Sequence, residues 1–174
     1  GPDAEGDPLW EAYAHLFETA ATSITIVTPY FVPDRRLFAL LGAAARRGRR
    51  VRLVIPRRSD HRLLDFARRW YLRTLHEAGA EILFFKADVL HAKLVLVDDA
   101  HLVVGSANLD MRSLFLNYEV GAVVRDAAAI AEVKALVAGW ETESTRYTED
   151  LYRRSRTWLG RTVENVSHVI APLL

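Results

Sequence analysis

The sequence predicts an α/β fold, in which a mixed β-sheet is flanked by helices on both faces. Through residues 8–85, segments with helical hydrophobic spacing alternate with short β-branched segments in the order α, β, α, β, α, β. From residue 92 onward, short strands follow one another without long helices between them, a pattern typical of antiparallel neighbours. Parallel pairing in the first half and antiparallel pairing in the second together indicate a mixed sheet.

The composition is that of one globular domain, which we expect to cover residues 1–174. The chain is 51% hydrophobic and 26% charged, and a chain of this length buries roughly 70% of its unfolded surface. It has no cysteine, which excludes a disulfide scaffold, thiol catalysis and thiolate metal sites. Uncharged apolar runs such as residues 37–45 are shorter than the roughly 18 residues needed to span a bilayer. No secretory signal opens the sequence, which favours the cytoplasm.

Capping and stop signals delimit the elements of the first half. Asp7 and Asp34 each precede a helical pattern, and Gly48 and Gly79 each follow one. Pro8 occupies the first helical position, where its fixed backbone angle is favourable. The predicted helices cover residues 8–20, 34–48 and 62–78, and the predicted strands cover residues 23–28, 51–55 and 81–85.

The second half is predicted to hold three strands, a helix and a helical tail. A turn at residues 98–100 joins the first two strands, and Asp126 caps a helix with an apolar stripe. From about residue 142 we expect further helix, with an apolar end at residues 169–174. The three predicted strands cover residues 93–97, 101–105 and 119–124.

Arginine is concentrated in residues 34–73. This segment holds thirteen arginines against only Asp34, Asp60 and Asp65, a net charge of +10 in a chain whose formal charge is +1. Such a field can steer phosphates, nucleic acid or acidic lipid headgroups. The ordinary alternative is that each arginine is simply a solvated residue on a helix surface.

A dense group of polar residues lies between residues 91 and 119. His91 and Lys93 are two positions apart at the start of a strand, so both side chains lie on one face of the sheet. Two cationic groups on one face are favourable when an anion lies between them. Lys93 supplies a fixed positive charge, and His91 can attack or transfer a proton near neutral pH.

The segment GSAN at residues 105–108 follows at the end of the next strand. Gly105 permits close approach of the backbone, while the Ser106 hydroxyl and the Asn108 amide are donors suited to phosphate oxygens. A metal site is disfavoured, because the Lys93 ammonium would repel a cation and no second histidine is nearby. The remaining histidines are interpreted as packing or surface residues: His15, His61, His76, His101 and His168.

These residues resemble the signature of the phospholipase D superfamily. His91-Ala-Lys93 followed by Asp98, and then the GSAN segment, is similar to HxKxxxxD and GSxN. The sequences GSANLDMRSLFLNYE, TPYFVPD and the terminal PLL are similar to bacterial cardiolipin synthases around their second signature. The similarity runs over nearly the whole chain and implies a phospholipase D-like single HKD domain.

The resemblance implies a role for each matching residue. His91 would form a phosphohistidine or protonate the leaving alkoxide, and Lys93 and Asn108 would hold the phosphoryl oxygens. Ser106 would add a hydrogen bond to the phosphate. Glu119 matches the acidic position that orients the histidine ring.

Other positions would play supporting roles. Asp98 belongs to the signature and would support the site structurally rather than touch substrate. Tyr30, Phe31 and Arg112 would line the entrance of the pocket. No cofactor and no metal ion is expected.

The resemblance also implies a second HKD half, because one histidine cannot easily attack phosphorus and protonate the leaving group on its opposite side. The chain is then either one subunit of a homodimer or the C-terminal half of an enzyme with two motifs. The expected activity is that of a phosphatidyltransferase of cardiolipin synthase type, acting on phosphatidylglycerol or a related anionic phospholipid. The expected location is the cytoplasmic face of the bacterial inner membrane, with the Arg-rich segment at the membrane surface.

Two alternatives remain open on the sequence. A homodimeric nuclease of the same superfamily would use the arginines to bind a DNA backbone, although nucleic acid is not the expected partner. An isolated half-domain could instead bind anionic lipid without turnover. Trp158 and Leu159, with the apolar tail, either lie in the membrane interface or pack as a terminal helix.

Overall fold

The fold was analysed in a computed structural model that describes residues 6–59, 62–86 and 89–148. In that part of the chain, helices and strands alternate up to β4, and short strands dominate afterwards. In chain order the elements are α1 (Pro8–Thr19), β1 (Ser23–Val27), β2 (Phe31–Val32), α2 (Arg35–Arg46), β3 (Arg50–Pro56), α3 (Arg62–Glu77), β4 (Glu81–Phe85), β5 (Leu94–Val97), β6 (His101–Gly105), β7 (Leu109–Asp110), α4 (Met111–Phe115), β8 (Gly121–Val124), α5 (Ala127–Thr142) and β9 (Ser144–Arg146).

Seven of the strands form one mixed sheet in the order β8-β6-β5-β1-β3-β4-β9. The neighbours β1, β3 and β4 are parallel, whereas β5, β6, β8 and β9 pair antiparallel to their neighbours. The remaining two, β2 and β7, form a separate short parallel pair. The prediction of a mixed sheet is confirmed.

Helices cover both faces of the sheet, as predicted. On one face, α1, α2 and α3 enclose the larger core, in which Phe17, Leu41 and Leu75 are almost completely buried against β1, β3 and β5. On the other face, Ile130 and Val137 of α5 pack on a smaller core. The period of two along β5 divides its side chains between these cores.

Most of the predicted boundaries follow from caps and stops that the structure contains. The Asp34 carboxylate accepts hydrogen bonds from the backbone at the start of α2, and Asp126 does the same for α5. Gly48 and Gly79 follow α2 and α3 with φ of 79° and 100°, values that favour glycine. Asp7 differs, because it precedes α1 without a capping bond from its side chain.

Four short elements differ from the prediction. The strands β2 and β7 and the helix α4 are too short to show a hydrophobic period. Residues 144–146 form β9, which pairs with β4, where the sequence predicts continued helix. Most of the predicted helical tail falls in residues 149–174, outside the described residues, as do Trp158 and Leu159.

The strand register defines two edges of the sheet. Val27, at the end of β1, pairs with Val54 of β3 on one side and with Leu94 of β5 on the other. The ends of β1, β3 and β4 and the start of β5 therefore lie together, and we call this the carboxyl edge. The opposite edge holds the start of β1 and the turn between β5 and β6.

Candidate active site

The predicted polar residues from three strands meet at the carboxyl edge. Lys93 directly precedes β5, Gly105 ends β6 and Glu119 lies just before β8. The Gly105 amide donates a hydrogen bond to the Lys93 carbonyl at 3.3 Å, and Gly105 is paired with Gly121 across the next ladder. Antiparallel pairing of β5, β6 and β8 thus brings residues far apart in sequence to one place.

His91 and Lys93 lie at this edge with different exposure. The His91 side chain is exposed, whereas Lys93 is half-buried and its Nζ donates to the His91 carbonyl oxygen at 2.9 Å. Burial lowers the pKa of Lys93, and the nearby carboxylates of Glu119 and Asp110 act in the opposite direction. A partly desolvated ammonium group and an accessible imidazole thus lie at the same edge, two positions apart in the chain, and binding and attack of an anionic phosphorus centre require both groups.

Ser106 and Glu119 are joined by a hydrogen bond. The Ser106 hydroxyl donates to Glu119 Oε2, and the Val120 amide donates to Ser106 Oγ at 3.0 Å. Asn117 Nδ2 lies 3.5 Å from Glu119 Oε1. The resemblance implies that Glu119 orients the ring of His91, but within the described part of the chain its carboxylate is bonded to Ser106 and Asn117 instead. In this arrangement Glu119 orients the serine hydroxyl.

Asn108 is held by residues to which the sequence assigned no role. Its Nδ2 donates to Ser113 Oγ at 3.2 Å, and the Asp110 carboxylate accepts from the Ser113 amide at 2.8 Å and from the Ser113 hydroxyl. Asn108 Oδ1 is buried without a partner in the described part of the chain. Burial raises the pKa of Asp110. The spacing of Asp110 and Ser113 is the N-cap pattern of a helix, which could have revealed the short α4.

Asp98 lies at the opposite edge of the sheet. Its carboxylate accepts hydrogen bonds from the amides of Ala21, Thr22 and Ser23 at 2.6, 2.7 and 2.8 Å, and from the Thr22 hydroxyl at 3.0 Å. Burial would raise the pKa of Asp98, but these bonds outweigh it and lower the pKa to about 2. The side chain thus ties the turn after β5 to the start of β1 and is remote from His91.

The three residues expected at the entrance are placed differently from one another. Phe31 is 1% exposed and belongs to the larger core, so it does not line an entrance. The prediction fails for Phe31 because the short strand β2 lies inside the core, where both of its residues are buried. Tyr30 is half-buried, and its carbonyl oxygen accepts a hydrogen bond from Thr28. Arg112 is exposed on α4.

A cavity of about 300 Å³ adjoins the site between α1, α4 and β8. Glu119 and Asn117 form part of its wall, and the aliphatic residues Leu9, Leu114 and Val123 form another part. Within the described ranges, no group of three or more histidine or acidic residues is arranged to hold a metal ion. Likewise, no described helix is long and apolar enough to cross a membrane.

Comparison with known proteins identifies the family of this chain. Residues 13–139 match the family described as "Cardiolipin synthase, PLD-like domain". The chain is 36% identical to the major cardiolipin synthase ClsA of Bacillus subtilis and 32% identical to cardiolipin synthase A of Proteus mirabilis. Each alignment covers 100% of this chain but only 36% of the relative. The chain therefore spans about a third of the length of these relatives.

Solved structures share the fold at low sequence identity. Phosphatidylserine synthase of Haemophilus influenzae aligns with a TM-score of 0.76 and 18% identity, covering 100% of this chain and 46% of that protein. The phospholipase D family member NUC of Salmonella typhimurium aligns with a TM-score of 0.70 and 19% identity, covering 79% of this chain and 90% of that protein. These alignments support the same mixed sheet flanked by helices.

Proposed function

The chain belongs to the family of cardiolipin synthase PLD-like domains, and we propose that it supplies one half of a phosphatidyltransferase active site of cardiolipin synthase type. The observation that carries this proposal is that the exposed side chain of His91 and the half-buried ammonium of Lys93 lie at the same edge of the sheet, where Lys93 Nζ donates to the His91 carbonyl oxygen. The identity to cardiolipin synthases over the whole of this chain supports the substrate class, an anionic phospholipid such as phosphatidylglycerol.

In the first step, a nitrogen of a histidine attacks the phosphorus of the donor lipid. A P–N bond forms, the P–O bond to glycerol breaks, and a proton passes to the leaving alkoxide from the histidine of the second half. Lys93 and the second amide hydrogen of Asn108 stabilise the charge on the phosphoryl oxygens, and Ser106 adds a bond when its hydroxyl turns from Glu119 to the phosphate. His91 can serve as either the nucleophile or the acid.

In the second step, the hydroxyl of another lipid replaces the histidine. The proton of this alcohol passes to the second-half histidine as the new P–O bond forms and the P–N bond breaks. The products are a lipid with two phosphatidyl groups and the regenerated imidazole. The reaction exchanges one phosphodiester for another, so its free-energy change is small and mass action sets its direction.

A second HKD half is part of this proposal. The described residues bring a single histidine, His91, to the carboxyl edge next to Lys93. The surface beside Glu119 exposes large apolar side chains that would be covered in a complete site, since Tyr118 and Val120 are each 74% exposed and Leu116 is 65% exposed. We place the second half against residues 116–123, either from the rest of the same polypeptide or from a second copy of this chain.

The proposed location is the cytoplasmic face of the bacterial inner membrane, where the phospholipid substrate is available. The family match supports a phospholipid substrate and an arrangement of two domains. The identity of the donor lipid and of the acceptor lipid is proposed in addition to that match.

The test offers vesicles of phosphatidylglycerol to the intact enzyme that contains this chain and measures phosphatidyl transfer. His91→Ala should reduce cardiolipin formation by at least about a thousandfold, because it removes a reacting group. His15→Ala is the matched control, since His15 is also exposed but lies on α1 away from the site. Substantial cardiolipin formation by His91→Ala would refute the assignment.

Oligomeric state tests the second half separately. Light scattering of the isolated 174-residue chain distinguishes a stable dimer, which would support two copies forming the site, from a monomer. A monomer that becomes active only when mixed with the rest of the enzyme would support a site shared within one polypeptide. Full activity of the isolated monomer would contradict the two-half arrangement.

A further inference from the structure

Two groups of exposed basic residues lie at opposite edges of the sheet. Arg57 and Arg58 follow β3 at the carboxyl edge, and Lys86 follows β4 at the same edge. Arg46 and Arg47 end α2 at the opposite edge, and Arg50 begins β3 there. All six side chains are exposed, and no ion pair engages any of them among the described residues. Of these two groups, only the one with Arg57, Arg58 and Lys86 shares an edge with His91.

Residues of α3 bind the backbone of the loop that carries Arg57 and Arg58. Arg68 is 5% exposed, and its Nη2 donates to the Arg57 carbonyl at 3.0 Å and pairs with Asp65 at 2.9 Å. The Asp65 carboxylate in turn accepts a hydrogen bond from the Ser59 amide at 3.1 Å. Because these bonds already fix the backbone of the loop, only the side chains of Arg57 and Arg58 lose conformational freedom on binding a partner.

An exposed aliphatic side chain lies in the same region. Val89 is 77% exposed, while the next residue, Leu90, is 4% exposed and anchors the backbone in the smaller core. Val89 is two residues before His91. An exposed aliphatic side chain at an edge that also carries cations suits a lipid surface, where apolar groups enter below the charged headgroups. A nucleic acid backbone would bind the cationic side chains, but it offers no apolar layer for the valine.

We propose that the carboxyl edge is a docking surface for an anionic lipid bilayer, with Arg57, Arg58 and Lys86 against the headgroups and Val89 inserted beneath them. This inference rests on the proposed function and extends it, because it orients the chain on the membrane. Docked in this way, His91 and Lys93 face the layer of headgroup phosphates. The arginines of the opposite edge point away from the bilayer.

Binding of the 174-residue chain to vesicles tests the proposal. Co-sedimentation would compare vesicles of phosphatidylcholine containing phosphatidylglycerol with vesicles of phosphatidylcholine alone. Replacing Arg57 and Arg58 together by alanine should lower the partition coefficient on anionic vesicles about twenty-five-fold, since each basic residue near the surface contributes about fivefold. The matched control replaces Arg46 and Arg47 together by alanine and should change binding less than about twofold.

A second pair of variants, with its own control, tests the role of Val89. Val89→Asp should weaken the part of vesicle binding that survives high salt, because salt screens the arginines but not apolar insertion. Leu136→Asp is the control, since Leu136 is 52% exposed on α5 and lies outside the proposed surface. Thermal unfolding of each variant verifies that the fold is retained.

Three outcomes would overturn the proposal. The first is absence of binding to anionic vesicles, and the second is equal loss of binding from the two arginine pairs. The third is binding of duplex DNA that depends on Arg57 and Arg58 while vesicles are not bound, which would assign the edge to nucleic acid.

Transfer assays separate this proposal from the proposed function. In the intact enzyme, the Arg57 and Arg58 variant should lose transfer on vesicles but retain it on short-chain phospholipid dissolved as monomers. His91→Ala should lose transfer on both substrates while retaining vesicle binding. If the variant that lacks Arg57 and Arg58 also lost transfer on monomers, a docking role would be contradicted. The role of His91 would not be affected by that result.

Discussion

The backbone of Gly105 lies directly against the carbonyl group of Val120. A Cβ atom on Gly105 would be 2.2 Å from the Val120 carbonyl oxygen and 2.8 Å from the Gly121 Cα. Both neighbours are backbone atoms, so neither can rotate away as a side chain would. This contact permits the hydrogen bonds that join Ser106 to residues 119 and 120, and glycine at position 105 is therefore a requirement of the site's geometry.

Gly105→Ala should lower the free energy of unfolding by at least about 2 kcal/mol, because the strands β6 and β8 must separate to admit the methyl group. Gly139→Ala is the matched control. Its Cβ would meet nothing within 4 Å on α5, so it should raise the free energy of unfolding by about 0.5–1 kcal/mol through improved helix propensity. Urea unfolding measures both. Equal stability of the two variants would contradict the contact.

Asp98→Asn tests the charge that holds the start of β1. Asparagine tolerates the left-handed φ of 53° at this position, so the substitution changes the carboxylate and leaves the backbone acceptable. At pH 7 it should lower the free energy of unfolding by about 1–2 kcal/mol through lost charge-assisted hydrogen bonds.

The same substitution predicts a pH dependence. The pKa of Asp98 is lowered to about 2 by folding, so its contribution is present above the unfolded pKa near 4 and is lost as the pH falls towards 2. The stability difference between wild type and Asp98→Asn should therefore shrink by about 1 kcal/mol over that interval, a value reduced because the carboxylate is partly exposed. Urea unfolding at pH 7, 4 and 2.5 measures it. A difference independent of pH would contradict the role of the charge.

The sequence predicts the long elements of this fold well, for physical reasons that individual residues show. Asp34 and Asp126 cap helices, and Gly48 and Gly79 end them, because these signals depend on a few neighbouring residues. By contrast, Phe31 is paired with Leu109, which is 78 positions away, and nothing in its own neighbourhood reveals that pairing.

The candidate site also has some features that the sequence reveals and others that only the structure reveals. Its polar residues stand out by residue type and spacing, so His91, Lys93, Ser106 and Asn108 can be identified without a structure. Their hydrogen-bond partners depend on the register of strands and on short elements. The bond from Ser106 to Glu119 and the placement of Ser113 beneath Asn108 therefore required the structure.

Ser113 is predicted to act through Asn108. Ser113→Ala removes the hydroxyl that holds Asn108 Nδ2 and that donates to Asp110. In the intact enzyme, kcat for phosphatidyl transfer should fall about tenfold with little change in KM, because Asn108 would be misplaced when charge develops on phosphorus. Adding Ser113→Ala to Asn108→Ala should have no further effect on kcat. Additive losses in the double variant would show that Ser113 acts independently.

Arg52 bridges two carboxylates on the face covered by α5. Its guanidinium lies 2.7 Å from Glu81 and 2.7 Å from Glu141, and the three side chains are between 19% and 31% exposed. Burial would raise the pKa of Glu81, but the hydrogen bond and charge of Arg52 outweigh it and lower the pKa. Arg52→Met keeps much of the aliphatic packing and leaves the two carboxylates facing each other.

At pH 7, Arg52→Met should lower the free energy of unfolding by about 2–3 kcal/mol, through loss of a partly buried ion-pair network. Arg50→Met, at an exposed position two residues earlier on β3, should change stability by less than about 0.5 kcal/mol. A group whose folded pKa is lowered contributes stability above its unfolded pKa and loses it as the pH falls. The cost of Arg52→Met should therefore diminish as Glu81 becomes protonated below pH 4.5, the ordinary pKa of a glutamate side chain. Urea unfolding of both variants between pH 7 and pH 3 measures this, and a cost that grows towards low pH would contradict the ion-pair explanation.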